Sequence, residues 1–270
     1  MITLLLLLSL STQPPNYAET TAPTYAPEVI LGILSFDILY NGIRVGAFGS
    51  GHFYKGFLKG AALGACQFSA KLLAARQKTY ETYPPIKTLF DVCNSMTDNL
   101  QDRIGLFDRI NIPFGIGTYT WVHNSFGYVA INPATIGSII DALIRTADFE
   151  VKKSLLTLTP VFSARGNVGP GGNVASGCYA LGVIYLDKNI EKDYVQYIFN
   201  HELNHALFFS SFKHIDTAFD AAFNKYLFKL RLLKYIEVHE LIMHPIFNIP
   251  AYQYRPQEIE AYTLTGPMKE

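Results

Sequence analysis

Charged side chains are few in this chain. Only 16% of its 270 residues are Asp, Glu, Lys or Arg, and 22 basic side chains face 22 acidic ones. A balanced chain with no dense basic run has no global attraction for nucleic acid, so no nucleic-acid partner is expected. Cysteine is far scarcer: Cys66, Cys93 and Cys178 are all there is, and none stands in a CxxC pair. That argues against a cysteine-based zinc site, and an odd number cannot all pair within the chain. Two readings stay open, a Cys66–Cys93 bridge in an oxidising compartment or three unpaired buried thiols. The glycine-rich stretch 165–177 lacks the GKS or GKT of a phosphate loop. It reads as a surface loop, or as a lid beside an active site. There is no internal repeat.

Apolar side chains make up 49% of the chain, with 19 Phe and 17 Tyr. This is a folding composition, and the length suffices for one large domain or two small ones. The start, Met1 to Leu10, is an apolar run of signal-peptide length, too short to span a bilayer. It lacks a basic leader. Residues 1–11 are therefore read as a signal peptide and 12–27, rich in Pro, Thr and Ala, as a linker. Export to the periplasm, cell envelope or exterior is the expectation.

Residues 28–109 read as an apolar, mainly helical region. Val29 to Phe48 is apolar but holds Asp37, Asn41 and Arg44, and Gly49 and Gly51 break it. A helix follows at Phe57 to Ala75, with Gly56, Gly60 and Gly64 four apart. Small residues at that spacing share a face and admit another backbone. Lys59 and Lys71 argue against a full membrane span. Residues 29–75 are either a hairpin packed on the rest of the chain or a membrane-associated element. A further helix is expected at Ile86 to Leu100.

From Ile110 the pattern shifts toward period two, and residues 110–270 read as one catalytic domain. Strands are expected at Ile110–His123, Tyr128–Ile131, Leu155–Phe162 and Ala180–Asp187. Helices are expected at Lys188–Phe209, at Thr217–Met243 with Pro245 as its stop, and at Gln257–Leu264. The class is α+β, with the helix at 188–209 beside a small mixed sheet, preceded by the apolar region.

The chemistry lies in His201-Glu202-Leu203-Asn204-His205. Four residues turn a helix by about 400°, so both imidazoles leave one face, one turn apart. That suits two nitrogens on one tetrahedral zinc ion, with Glu202 on the flank as a general base. A catalytic zinc needs a third protein ligand. Phe208 and Ser211 stand where a metzincin has Gly and His, which excludes that class. His214 and Asp216, just past the helix, could reach back.

Gln257-Glu258-Ile259-Glu260-Ala261-Tyr262 resembles the second-helix pattern of the gluzincin metallopeptidases. The resemblance covers about residues 180–264 and implies a zincin-like catalytic part, with Glu258 as third ligand and Glu260 as runner-up. Tyr262 stands where such families often place an acidic or amide support. His239 and His244 are five apart and do not share a metal simply. They read as structural, although either of them, Tyr252 or Tyr254 could donate to an oxyanion. The resulting expectation is a zinc peptidase acting on peptide or protein substrates. The alternative is a non-enzymatic envelope or membrane-associated protein with a structural or vestigial zinc site.

Overall fold

The computed structural model describes residues 27–145, 147–165, 176–216, 236–250 and 254–266. The signal and linker expectations, the centre of the glycine-rich loop, most of the Thr217–Met243 helix and Tyr252 lie outside them.

The chain opens with a helical hairpin, α1 (Pro27–Phe48) and α2 (Phe53–Ala75). The glycine spacing explains its closeness. A Cβ on Gly60 would lie 2.2 Å from the Asn41 carbonyl oxygen, and one on Gly64 would lie 2.2 Å from that of Asp37. Only glycine lets the two backbones touch there. A short 3-10 turn (Tyr80–Thr82) leads into α3 (Tyr83–Gln101), where Pro84 and Pro85 sit in the first turn and pre-set its φ. Cys66 on α2 and Cys93 on α3 form a disulfide, a bond of the kind that persists in oxidising compartments.

Next come β1 (Arg109–Pro113), β2 (Gly117–Val122) and β3 (Ser125–Ile131), an antiparallel sheet in sequence order. The single strand expected over Ile110–His123 is thus a hairpin. Helix α4 (Pro133–Ile144) is capped by Asn132, whose side chain accepts from the Ala134 and Thr135 amides. Then follow β4 (Asp148–Phe149), α5 (Val151–Thr157) and β5 (Val161–Ala164). The strand expected over Leu155–Phe162 is corrected here. Its first half finishes a helix, which Leu158 ends in a left-handed conformation, and Pro160 cannot continue it.

The strand expected over Ala180–Asp187 is corrected too. It is the end of β6 (Gly177–Ala180) and all of β7 (Val183–Asp187), reversed at Leu181-Gly182, both at positive φ. Two such residues make a tight hairpin turn that matches strand twist. The second sheet is mixed, in the order β4-β5-β7-β6, with β5 and β7 parallel. Among the described residues, β7 is interior and β6 forms an edge.

Helix α6 (Lys192–Ser210) carries the HELNH motif and is buried on nearly every side from Ile198 to Phe209. Sheet residues Val161, Tyr179 and Ile184 cover one flank, and Ala70, Ala74 and Phe90 from the helical region cover another. It is thus a core helix, although Asn200, His201, Glu202, Asn204 and His205 on it are polar. Helix α7 (His239–Phe247) is shorter than expected. Ile236 bridges to Ile131, and Asp216 accepts the Val238 and His239 amides at 2.6 and 2.8 Å, so the helix begins only there. Pro245 lies inside it rather than ending it. Helix α8 (Pro256–Thr265) closes the described chain. The fold is α+β, as expected. The motif helix packs beside a small mixed sheet, and an apolar, glycine-rich helical region precedes it.

Candidate metal centre

Helix periodicity alone would pair His201 with His205; packing brings Glu258 to them. The Nε2 atoms of the two histidines are 3.1 Å apart, and Oε2 of Glu258 lies 3.4 Å from each. All three residues are buried. Four ligands at about 2.0–2.1 Å around a tetrahedral zinc stand about 3.3–3.4 Å from one another. The three atoms therefore outline one face of such a tetrahedron, and two imidazoles with one carboxylate are a zinc donor set. This group could hold a metal ion, and it is the one such cluster among the described residues.

Helix geometry also settles which glutamate points inward. Glu258 and Glu260 are two apart on α8, about 200° around the axis, so they face opposite ways. Glu258 faces the histidines. The runner-up, Glu260, meets Lys71 of α2 at 3.0 Å, and the same ammonium holds both carboxylate oxygens of Asp37 at 3.1 Å. Lys71 is 1% exposed. One buried cation thus fastens the amino-terminal hairpin to the helix that presents Glu258.

Other side chains fix α6 itself. Asn200, next to His201, donates to the Ala75 and Gln77 carbonyls at 3.0 and 2.9 Å and accepts from the Tyr83 hydroxyl. It thereby satisfies carbonyls that the end of α2 leaves open. The Tyr262 ring packs on the His201 ring with centroids 4.4 Å apart. It supports the histidine by contact, where the gluzincin pattern implied an acid or amide. The Nδ1 atoms of His201 and His205 have no hydrogen-bond partner among the described residues.

Glu202 lies on the flank, buried beside β6. Burial pushes its carboxyl up to about 7; His201 opposes the rise, Glu258 adds to it, and the Tyr179 amide opposes it. A carboxylate poised near neutrality is suited to taking and returning a proton. Glu258 differs. Burial alone would raise it, but His205 and His201 outweigh that and hold it well below the usual carboxylate range. The two glutamates are thus driven apart, one toward proton exchange and one toward permanent charge.

Gly177 makes the fit of Glu202 possible. A Cβ there would stand 2.5 Å from Ile198 Cγ2 and 3.0 Å from the Glu202 side chain. Gly177→Ala is expected to displace Glu202 while leaving the metal ligands in place. Turnover should fall about tenfold or more with metal content unchanged, measured by kinetics beside metal analysis. Equal turnover would show that Glu202 tolerates the crowding.

The remaining candidates lie elsewhere. His214 contacts the Tyr40 hydroxyl and Arg44, each at 2.9 Å. Asp216 pairs with His239 at 2.7 Å. Although burial opposes protonation of His239, Asp216 overcomes it and lifts that imidazole to about 9. His244 stacks on Phe209 with ring centroids 4.3 Å apart, and burial, with His205 and Arg255 near, depresses it to about 3. None of these joins the metal group, and Tyr254 is 67% exposed. Sequence reasoning missed Gly177, Tyr179, Lys71 and Asp37. Gly177 looked like the end of a loop, and Tyr179 lay between that loop and the next expected strand. The signal in the other pair was a lysine and an aspartate within apolar helices, a costly placement unless they meet.

No protein family, curated protein or solved structure matches the chain. The functional reading therefore rests on the buried His201, His205 and Glu258 and the surroundings described above.

Proposed function

We propose that this protein is a zinc-dependent hydrolase that cleaves peptide bonds outside the cytoplasm, with His201, His205 and Glu258 as the zinc ligands. The carrying observation is the triangle of buried donor atoms with edges of 3.1 and 3.4 Å. When bound, zinc supplies Lewis acidity, which lowers the pKa of a water toward about 7 and polarises a carbonyl.

The chain's own residues do the rest. Glu202 takes the proton from the attacking water and returns it to the leaving amine. Its dry setting beside Gly177 and Ile198 keeps the carboxyl close to neutrality, so neither transfer is steeply uphill. Glu258, held well below the usual carboxylate range, stays ionised as a ligand carboxylate through the cycle. Strand β6 runs along the flank that carries Glu202 and is an edge of its sheet. The Cys66–Cys93 disulfide supports action in an oxidising compartment.

Alanine substitution in α8 tests the ligand assignment. Glu258→Ala should lower zinc affinity by about 10²-fold or more, whereas Glu260→Ala should leave zinc in place. Competition with a chromogenic chelator measures both. The reverse order would assign the third ligand to Glu260.

A further inference from the structure

Helix α1 is inside out. Apart from Glu28, exposed in its first turn, its charged and amide side chains, Asp37, Asn41 and Arg44, are at most 5% exposed, packed toward α2 and α3. Its outer stripe, Leu31, Phe36, Leu39 and Ile43, is 47–59% exposed and carries no charge. The apolar surface continues around the hairpin turn through Phe48, Phe53, Tyr54 and Leu58, each more than half exposed. A water-facing helix has the opposite arrangement, and a contiguous exposed apolar surface of this kind marks an interaction site.

Charge says what the partner is. From residue 38 to residue 80 the chain has no Asp or Glu. Lys55 and Lys59 are exposed at the turn, beside the aromatic side chains, and so is Arg103, whose Nε donates to the Phe48 carbonyl at 2.9 Å. Apolar side chains flanked by aromatics and unopposed lysines suit an anionic lipid surface. A second copy docking through the same surface brings no acidic side chain from residues 38–80 to meet those lysines; an anionic headgroup layer does.

Length and composition would let α1 cross a membrane. Its polar face forbids that. Arg44 pairs with Asp98 at 2.6 Å and Asp37 with Lys71 at 3.1 Å, so a crossing would break both buried pairs or carry them into hydrocarbon. A helix lying in the interface keeps both pairs and buries only the outer stripe. We propose that the α1–α2 hairpin is a membrane-docking surface: the stripe from Leu31 to Ile43 rests in the headgroup–acyl boundary of an anionic bilayer, and Lys55 and Lys59 contact its headgroups. This places the enzyme flat on a membrane without a spanning segment in the hairpin. It stands independently of the zinc chemistry.

Vesicle flotation of the full chain tests it, with phosphatidylcholine vesicles compared with vesicles that also contain phosphatidylglycerol. Wild type should float with the anionic vesicles. Leu39→Glu with Ile43→Glu should lose about tenfold or more of that partition at an unchanged thermal midpoint, because both side chains already face outward. Lys55→Glu with Lys59→Glu should abolish the preference for anionic over neutral lipid. Wild type remaining in the soluble fraction would overturn the proposal, and so would undiminished flotation of the Leu39/Ile43 variant. A lipid-free dimer that this variant dissolves, without vesicle binding by wild type, would assign the stripe to a second copy instead.

Discussion

Glu202→Gln is expected to hold zinc as tightly as the wild type and to hydrolyse peptides about 10²–10⁴-fold more slowly. The amide keeps the shape of the carboxyl and fits the same space beside Gly177 and Ile198. It cannot accept the proton of an attacking water. Metal affinity should survive because Glu202 is absent from the group formed by His201, His205 and Glu258. The loss should therefore fall on kcat, with KM little changed. Full turnover in this variant would remove Glu202 from the mechanism. Loss of zinc along with activity would make it a structural support of the site rather than its base.

Lys71→Met carries the second large effect, on stability. The substitution keeps the length of the side chain but removes the one cation between Asp37 and Glu260, at 3.1 and 3.0 Å. Two buried carboxylates would then face each other uncompensated, and breaking such a buried network typically costs about 3–5 kcal/mol. The triple variant Lys71→Met, Asp37→Asn, Glu260→Gln should recover most of that, because no buried charge is then left alone. Urea unfolding of the three proteins measures it. A single-variant cost under about 1 kcal/mol would mean that water reaches the cluster.

The sequence carried the motif helix and both of its histidines, because four-residue spacing is a local property of one helix. It also carried the close pairing of α1 with α2, because glycines four apart have few other uses. It left Glu258 and Glu260 as alternatives, since which side of α8 faces α6 depends on tertiary packing. Lys71 resolves that choice from more than 180 residues away in sequence. Strand boundaries were less legible. Ala180–Asp187 has the apolar continuity of a single strand, and only the left-handed Leu181 and Gly182 divide it. Leucine gives no hint of that conformation, and a lone glycine is equally at home inside a strand. Residues 155–162 misled for a related reason. Alternating Leu and Thr imitate a strand while the chain passes out of a helix. The supports on β6 had no local signature, because Gly177 matters only through what stands opposite it.

Metal analysis of purified wild type beside His205→Ala, both prepared in excess zinc and then dialysed, bears most directly on the central claim. The account predicts about one zinc per chain in the wild type and almost none in the variant. A wild type without zinc, or equal zinc in both proteins, would contradict it.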